Sequence, residues 1–562
     1  MEYGECRMKR RNRGITHFTF YILHLTFAIA FARKCEGAKY LAFAWEFQEH
    51  GPKDFLAVAD QFAKSPIDGV GFYLYGRNPD GKAVSSYTIC QEPRWERAAF
   101  ADQIPDFKRL VTKPGFRESF FVSYRAPNKR VDWTDDAGWA TIAHNMGVLA
   151  SFAKECGVKG LSVDHEDYRR QNQYVRQEGD PPYDECRKLA RRRGREVFGA
   201  VFREYPDVVI LSFWILTEDR TYYTAEDPDA ARRVKQDLWP DFVAGILDEL
   251  PLAARLVEGD EHAYRYEYSS RDFHHAIVNS MRMGRTLLPM EVRAKFLSRV
   301  EQSFGMYLDA YVNPFDPTKR ALWSHGPEGG SRLEHFRRNV AEATSLVSEY
   351  VWFWGECNPW VTWPEKMRPH KKIRYDRTWN DEIPGLHEML AVTKGGDAGE
   401  WERFNRLSRS GAIKSLIPPG TRLRTWQAAK GPYGRPLAQK GTLSQKDGVL
   451  TAESVANGCF FFEHGPIEAG ERYAFIVKAK GGDCCGEVGW IDSLGVIHGM
   501  PRARMSFADA DKDGWREGRV IATVPSKADK FRLTLGLRQK SGERTEYRDL
   551  AFYRLWPSVN GE

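Results

Sequence analysis

The feature that most constrains this chain is a repeated alternation. From Lys39 onward, short apolar, β-branched and aromatic runs follow one another, separated by longer amphipathic stretches. The short runs lie at 39–47, 68–76, 118–125, 159–166, 207–216, 252–260, 304–312 and 349–356. Helical patterns lie near 53–64, 99–111, 136–156, 183–204, 229–250, 271–301 and 331–348, and one more follows near 383–394. Eight strand and helix units in succession argue for an α/β fold, a (β/α)8 TIM barrel with long loops.

Successive strand residues point to opposite faces, so each strand can be read for what it turns inward. In Gly160-Leu161-Ser162-Val163-Asp164-His165-Glu166-Asp167-Tyr168, Leu161 and Val163 share one face while Ser162, Asp164 and Glu166 share the other. Two carboxylates then emerge together at the strand's C-terminal end. Desolvated acids that close cannot both ionise freely, so one keeps a proton and the other a charge, which is the condition for general acid chemistry. In the first strand, Ala42 and Ala44 alternate with Leu41 and Phe43, which predicts Glu46 on the small-residue, interior side. The third strand groups Ser123 with Arg125, and the fifth Ser212 with Trp214. The seventh turns Tyr307, Asp309 and Tyr311 inward, and the eighth sets Trp352, Trp354 and Glu356 on one side. In the sixth, Glu258, Asp260, His262, Tyr264 and Tyr266 share one parity. A regular strand puts Glu258 and Asp260 over the barrel mouth, whereas a bulge at Gly259 presents Glu261 instead. Polar and aromatic groups therefore gather at the C-terminal strand ends, where barrel enzymes keep their sites.

After about Gly395 the pattern changes. A short helical piece and an Ile417-Pro418-Pro419-Gly420 break make 401–420 a linker. Short strands with Gly and Asp turns then run through 421–562, the pattern of an all-β sandwich or jelly roll. Within it, Asp509-Ala510-Asp511-Lys512-Asp513-Gly514 matches the start of a calcium loop, but Val520 stands where an EF-hand needs its bidentate Glu, so calcium there requires another loop geometry.

A chain of 562 residues accommodates both units. The formal charge of +7 is small for this size and its Lys and Arg are scattered, which argues against a nucleic-acid footprint. The 9 cysteines include no paired CxxC at zinc spacing, and His165 and His274-His275 have no HExxH context, so neither a disulfide framework nor a metal is expected. At the other end, Met8-Lys9-Arg10-Arg11-Asn12-Arg13 precedes a nearly uncharged run from Ile15 to Ala32 that closes Ala30-Phe31-Ala32. A basic start, an apolar run and small residues at a cleavage site predict a signal peptide, with a short N-terminal segment reaching residue 38. The competing reading is an uncleaved anchor. The expectation is export to the periplasm, cell surface or medium, with no membrane insertion after cleavage.

Barrel order over residues 39–400, an acid-rich fourth strand, strand-end aromatics and Trp354-Gly355-Glu356 together resemble the (β/α)8 glycoside hydrolases as a superfamily. In the retaining clan of that superfamily the acid/base is a Glu ending strand four and the nucleophile a Glu ending strand seven. Glu166 matches the first, and strand seven offers Asp309. Of the chitinase-like DxxDxDxE pattern, Asp164 and Glu166 match the last two acids, while Lys159 and Ser162 replace the first two. Residues 421–562 look like the carbohydrate-binding modules appended to secreted glycosidases.

The resemblance implies an exported enzyme that hydrolyses O-glycosidic bonds of a polysaccharide or oligosaccharide. Glu166 is its candidate acid, Asp164 the residue that tunes it, and Asp309, Glu356 or Glu258 the second carboxylate. Tyr75, Trp214, Tyr266, Trp354 and Trp360 are candidates to stack on sugar rings, with Glu46 and Tyr311 facing the same mouth; core packing is the competing role for each aromatic. Arg125 offers a cation to an acidic or sulfated sugar, or pairs with an acid. The rival from another class is a non-catalytic glycan-binding surface protein on the same fold.

Overall fold

In the computed structural model the described residues are 37–91, 93–315, 323–327, 331–418, 420–430, 441–468, 470–482, 484–495, 502–525 and 528–556. The segment read as an export signal lies outside them. Among the described residues, no helix is long and apolar enough to cross a membrane.

Strands β1 (Lys39–Ala44), β2 (Gly69–Phe72), β3 (Phe120–Ser123), β4 (Gly160–Val163), β5 (Val209–Ser212), β6 (Arg255–Glu258), β7 (Val300–Gln302), β8 (Phe304–Tyr307) and β9 (Tyr350–Gly355) form one parallel sheet, in the order β8-β9-β1-β2-β3-β4-β5-β6-β7. Only Ser303 parts β7 from β8, so the expected seventh strand begins earlier and is split. Its first piece pairs with β6 and its second with β9. Ser303 N donates to Glu258 O at 2.8 Å across the break, and the sheet curls into a nearly closed barrel.

Helices α1 (Pro52–Phe62), α2 (Ile104–Leu110), α3 (Asp136–Cys156), α4 (Tyr183–Glu204), α5 (Trp239–Glu249), α6 (Asp272–Thr286), α7 (Met290–Arg299), α8 (Arg332–Leu346) and α9 (Leu386–Ser410) alternate with the strands. Pro289 interrupts the 271–301 pattern and separates α6 from α7.

Aromatic rings fill the barrel. Phe213, just past β5, stacks on Trp352 of β9 at 4.5 Å, and Phe43 of β1 meets both edge-on. Gly71 makes room for Phe43, since a Cβ there would lie 2.2 Å from that ring, and Gly305 does the same for Trp352. Two strands therefore face opposite to the sequence expectation. Phe43 points inward while Ala42 and Ala44 lie on the helix side, with Tyr40 of the same parity bonded to Thr344 of α8. Likewise Phe213 points inward in place of Ser212 and Trp214. Strand β4 faces as expected: Phe121, in register with Leu161, packs on Phe107 of α2 and Phe152 of α3, which leaves Ser162 and Asp164 toward the interior.

The C-terminal part contains β10 (Arg424–Gln427), β11 (Thr442–Lys446), β12 (Val449–Glu453), β13 (Gly458–His464), β14 (Arg472–Gly481), β15 (Cys485–Ile491), β16 (Ala503–Arg504), β17 (Ser506–Phe507), β18 (Trp515–Thr523), β19 (Lys530–Leu537) and β20 (Arg544–Trp556). They form two antiparallel sheets, β10-β13-β19-β15-β16 and β11-β12-β20-β14-β18-β17. Phe531 of the first sheet meets Phe552 of the second at 4.9 Å, and Phe475 stacks on Phe552 at 5.7 Å, the buried layer of a β-sandwich. The sandwich rests on the barrel's helices: Arg403 of α9 donates to Leu555 O at 2.9 Å, and Arg337 of α8 donates to Gly470 O at 3.0 Å. The run Asp509–Gly514 forms the turn into β18, where Asp511 Oδ1 accepts from Asp513 N at 3.0 Å and Trp515 N at 2.8 Å.

Candidate active site

Strand β4 delivers two acids to the barrel mouth. The Asp164 carboxylate accepts from Glu166 N at 3.2 Å, Tyr168 Oη at 3.2 Å and Tyr87 Oη at 3.3 Å. Tyr168 Oη is also in hydrogen-bond contact with the Glu166 carboxyl. A phenol carries one proton and donates to one carboxyl; the contact to the other is a hydrogen bond only if that carboxyl holds a proton itself. Burial raises the pKa of both acids. The Asp164 charge pushes Glu166 further up, while the bonds to Asp164 and, last, the Arg125 charge pull Asp164 partly back. Arg125 reaches this point because Tyr124 takes φ 67° and swings its ring outward onto Phe198 and Phe242. The guanidinium then lies 4.9 Å over the Tyr87 ring.

Strand β6 breaks its alternation at its end. An ideal Cβ on Gly259 would lie 2.6 Å from Ser212 O, so glycine is needed, and Asp260 follows at φ 44° before the 3-10 turn Glu261–Arg265. Asp260 is thereby buried against Tyr266 Oη, which lies 3.1 and 3.2 Å from its two oxygens. Glu261 is presented instead. Burial, then the charges of Glu166, Asp164, Glu218 and Glu356, hold its carboxyl well above the usual range. Of the two registers open in the sequence, the structure adopts the one that exposes Glu261 to the acids.

Three other predicted acids are placed differently. Glu258 is fully buried and accepts from Ile215 N, Leu216 N and Thr217 Oγ1, each at 3.0 Å, so it pins the turn after β5. Asp309 accepts from Glu356 N at 2.9 Å and Cys357 N at 3.1 Å, which fixes the segment after β9. Glu46 accepts from Trp360 N at 2.8 Å and Trp363 Nε1 at 2.9 Å beneath their loop; burial outweighs these bonds and raises its pKa to about 8. Glu356 does join the acid group. Trp354 Nε1 donates to it at 3.0 Å, and burial raises its pKa.

The aromatic candidates divide as well. Trp354 lies beside Glu356, and Tyr75 is 44% exposed on a small hairpin, Tyr75–Arg77 with Ala83–Ser85. Trp214 is buried between His165 and His262, at 6.5 and 5.9 Å. Tyr266 is packed on Phe273, Tyr311 on Phe336 of α8, and Trp360 on Phe353, all three buried on the helix side of the wall. Strand alternation does not reach past the point where these segments coil, and in a turn the next-but-one residue no longer shares a face.

Other residues complete the site, some with little sequence signal. Tyr87 sits on the long β2 to β3 connection, which has no strand periodicity to mark it. Tyr264 stacks on Tyr307 at 5.2 Å, with Trp323 edge-on to both at 5.8 and 5.7 Å and Arg265 4.3 Å over Trp323, forming an aromatic wall beside Glu261. A cavity of about 370 Å³ lies beside the segment that follows β4, lined by His165, Asp167, Glu218, Lys235, Asp237 and Trp239 among others. There His165 stacks on Trp239 at 3.7 Å and meets Glu218 at 3.1 Å. On the sandwich, the outer face of the five-stranded sheet carries Trp426, 52% exposed, and Phe461 with the Arg532 guanidinium 5.0 Å over its ring.

No family model matches the chain, and no curated protein matches it. Solved structures similar to it include the enzymatically active domain of tailspike protein 4 of bacteriophage CBA120, at 11% identity and TM-score 0.17, covering 25% of this chain and 19% of that one. A module described as CBM4 shares 15% identity at TM-score 0.18, covering 25% of this chain and 92% of its own. The IolI protein with a bound zinc atom shares 10% identity at TM-score 0.31, covering 63% and 98%. This chain therefore spans about a fifth of the tailspike domain and nearly all of the other two. Likenesses this distant carry no weight for the chemistry of the mouth.

Proposed function

We propose that this protein is a carbohydrate-active enzyme that hydrolyses glycosidic bonds, with Glu166 as general acid. The observation that carries the reading is the single phenol of Tyr168 set against both Asp164 and Glu166. With Asp164 ionised and accepting from Tyr87, Tyr168 and the Glu166 amide, the proton of the pair rests on Glu166. That carboxyl can then protonate a leaving oxygen. Glu261 is the second carboxylate, as nucleophile or as base for water. Its charge couples first to Glu166 and then to Asp164, whereas Glu356 acts on it last and is held by Trp354. Glu356 is better suited to a sugar hydroxyl.

Tyr307 and Trp323, backed by the buried Tyr264, offer apolar ring faces to a sugar. Arg125 Nε, Trp214 Nε1 and His165 Nδ1 are buried without a hydrogen-bond partner among the described residues, and they are donors or acceptors a polyhydroxylated ligand can satisfy. Trp426 and Phe461 give the sandwich a ring platform for holding the same polymer. Export to an extracytoplasmic compartment completes the proposal.

The test is release of reducing ends from a panel of polysaccharides, with Glu166→Gln beside the wild type. Cleavage by the wild type and its loss in the variant support the reading. Undiminished cleavage by the variant moves the chemistry to other acids, and retention of a glycan without any cleavage makes the protein a binder.

A further inference from the structure

Away from the acid cluster, three side chains from distant parts of the sequence converge on one point. Glu267 follows the 3-10 turn after β6, His325 lies in the connection after β8, and His335 is in the first turn of α8. Their ligand atoms all lie within 4.8 Å of one another. Glu267 Oε1 is 2.9 Å from His325 Nδ1, and Oε2 is 2.5 Å from His335 Nε2. The His325 and His335 side chains are 6% and 10% exposed, and the Glu267 side chain is 33% exposed.

The outer ring nitrogens decide what the inner ones can do. His325 Nε2 is 3.0 Å from Tyr264 O, and His335 Nδ1 is 2.7 Å from Gly326 O. A backbone carbonyl only accepts, so each outer nitrogen carries the hydrogen. In a neutral ring the inner nitrogen is then a lone pair, and here both lone pairs face carboxylate oxygens. A positive charge must sit between them. Two protons would supply it as two buried imidazolium rings with centroids 5.2 Å apart, each desolvated and repelling the other. One divalent cation supplies it with both rings neutral. Ring N–H groups committed to backbone carbonyls are also the usual outer support of metal-bound histidines, because they fix tautomer and ring orientation. Tyr311 adds a further constraint, stacking on His325 at 4.6 Å and meeting His335 edge-on at 5.9 Å.

We propose that Glu267, His325 and His335 bind a divalent first-row transition metal ion of the zinc type. Two imidazoles and one carboxylate are a donor set for such an ion, and the exposed side of Glu267 leaves room for water as a further ligand. Metal–ligand distances of ~2.0–2.2 Å separate neighbouring donors by about 3 Å or more, so the two Glu267 contacts open slightly on binding. The ion fastens the segment that carries Glu261 and Tyr264 to the start of α8. The sequence gives little sign of it, since the ligands are spread over two connections and a helix with no short spacing.

The test uses the untagged full chain, stripped with a chelator and titrated with Zn²⁺ by calorimetry. Zn²⁺ is a suitable probe because it binds nitrogen and oxygen sites more tightly than most divalent ions of its row. The expected result is one equivalent bound, a melting temperature that rises with Zn²⁺ and falls with chelator, and at least a tenfold loss of affinity in Glu267→Gln and His335→Ala. Glu267→Gln keeps the side chain's shape, so it carries the test if His335→Ala does not fold. Absence of stoichiometric binding by the wild type overturns the proposal, as does binding unchanged in the folded variants.

Discussion

The two sides of the barrel mouth hold their carboxylates in opposite ways. Where β9 lies between β8 and β1, Glu46 and Asp309 each accept two N–H groups that the chain would otherwise leave unpaired. Where β4 faces β6, Asp164, Glu166 and Glu261 face one another and two phenols, and of the three it is Asp164 that accepts a backbone N–H. Burial raises pKa values on both sides. On the first side the acids hold loops in place, and replacing them costs stability. On the second, Glu166 and Glu261 crowd the Asp164 charge, so like-charge repulsion adds to burial in raising their pKa values, which costs the fold.

The largest break in this comparison is Glu166→Gln. Activity is expected to fall ~10²–10⁴-fold or more while thermal stability holds or rises, because the amide relieves a crowded pair. Glu261→Gln is expected to lose activity on the same scale, and Glu356→Gln less. The wild-type rate is expected to decline as pH rises through the raised pKa of Glu166, since a general acid must be protonated. Initial rates against pH check the direction. A rate that climbs with pH across that limb overturns the assignment.

Glu258 sits below the mouth and sharpens the contrast from the stability side. Glu258→Ala strands Ile215 N, Leu216 N and the Thr217 hydroxyl in a fully buried place. A loss of about 2–5 kcal/mol is expected in urea unfolding. Glu258→Gln keeps an acceptor and is expected to cost less. Equal costs for the two variants would mean that the charge and second carboxylate oxygen, which both lack, matter there, and side-chain volume does not.

Much of this arrangement is legible in the order of the residues. All eight strand runs and the interior face of the fourth follow from alternation alone, and Gly259 marks the place where β6 changes register. Alternation misleads in two ways. In β1 and β5 it favours small or polar residues for the interior, yet Phe43 fills it because Gly71, on another strand, leaves space, and Phe213 fills it by stacking on Trp352, for which Gly305 leaves space. Such compensation between strands is invisible within one run. Past the strand ends, Tyr266, Tyr311 and Trp360 follow or lie within turns and bends, and the parity carried over from the strand no longer holds.

Glu46 gives a smaller, pH-dependent effect. Its folded pKa, about 8, lies above its ordinary value of 4.5, so its contribution is full below about 4.5 and is lost as pH rises through 8. Wild-type unfolding free energy is therefore expected to decline between those values by on the order of a few kcal/mol relative to Glu46→Gln, which has no proton to lose. Parallel slopes for the two proteins would show that Glu46 is ionised at neutral pH, its charge held by the bonds from Trp360 and Trp363.

The smallest effect belongs to the sandwich, where exposure replaces burial. Trp426 stands on an edge strand with half its surface in solvent, so removing it leaves no cavity and little strain. Trp426→Ala is expected to leave the melting temperature and the cleavage of short oligosaccharides unchanged. Retention on an insoluble polysaccharide is expected to weaken by about 1 kcal/mol, roughly fivefold, the scale of one aromatic contact. If binding to the polymer is unaffected while Phe461→Ala abolishes it, the platform is centred on β13 and not on the edge. If neither substitution matters, polymer binding rests on the barrel mouth alone, and the sandwich acts as a support for α8 and α9 through Gly470 O and Leu555 O.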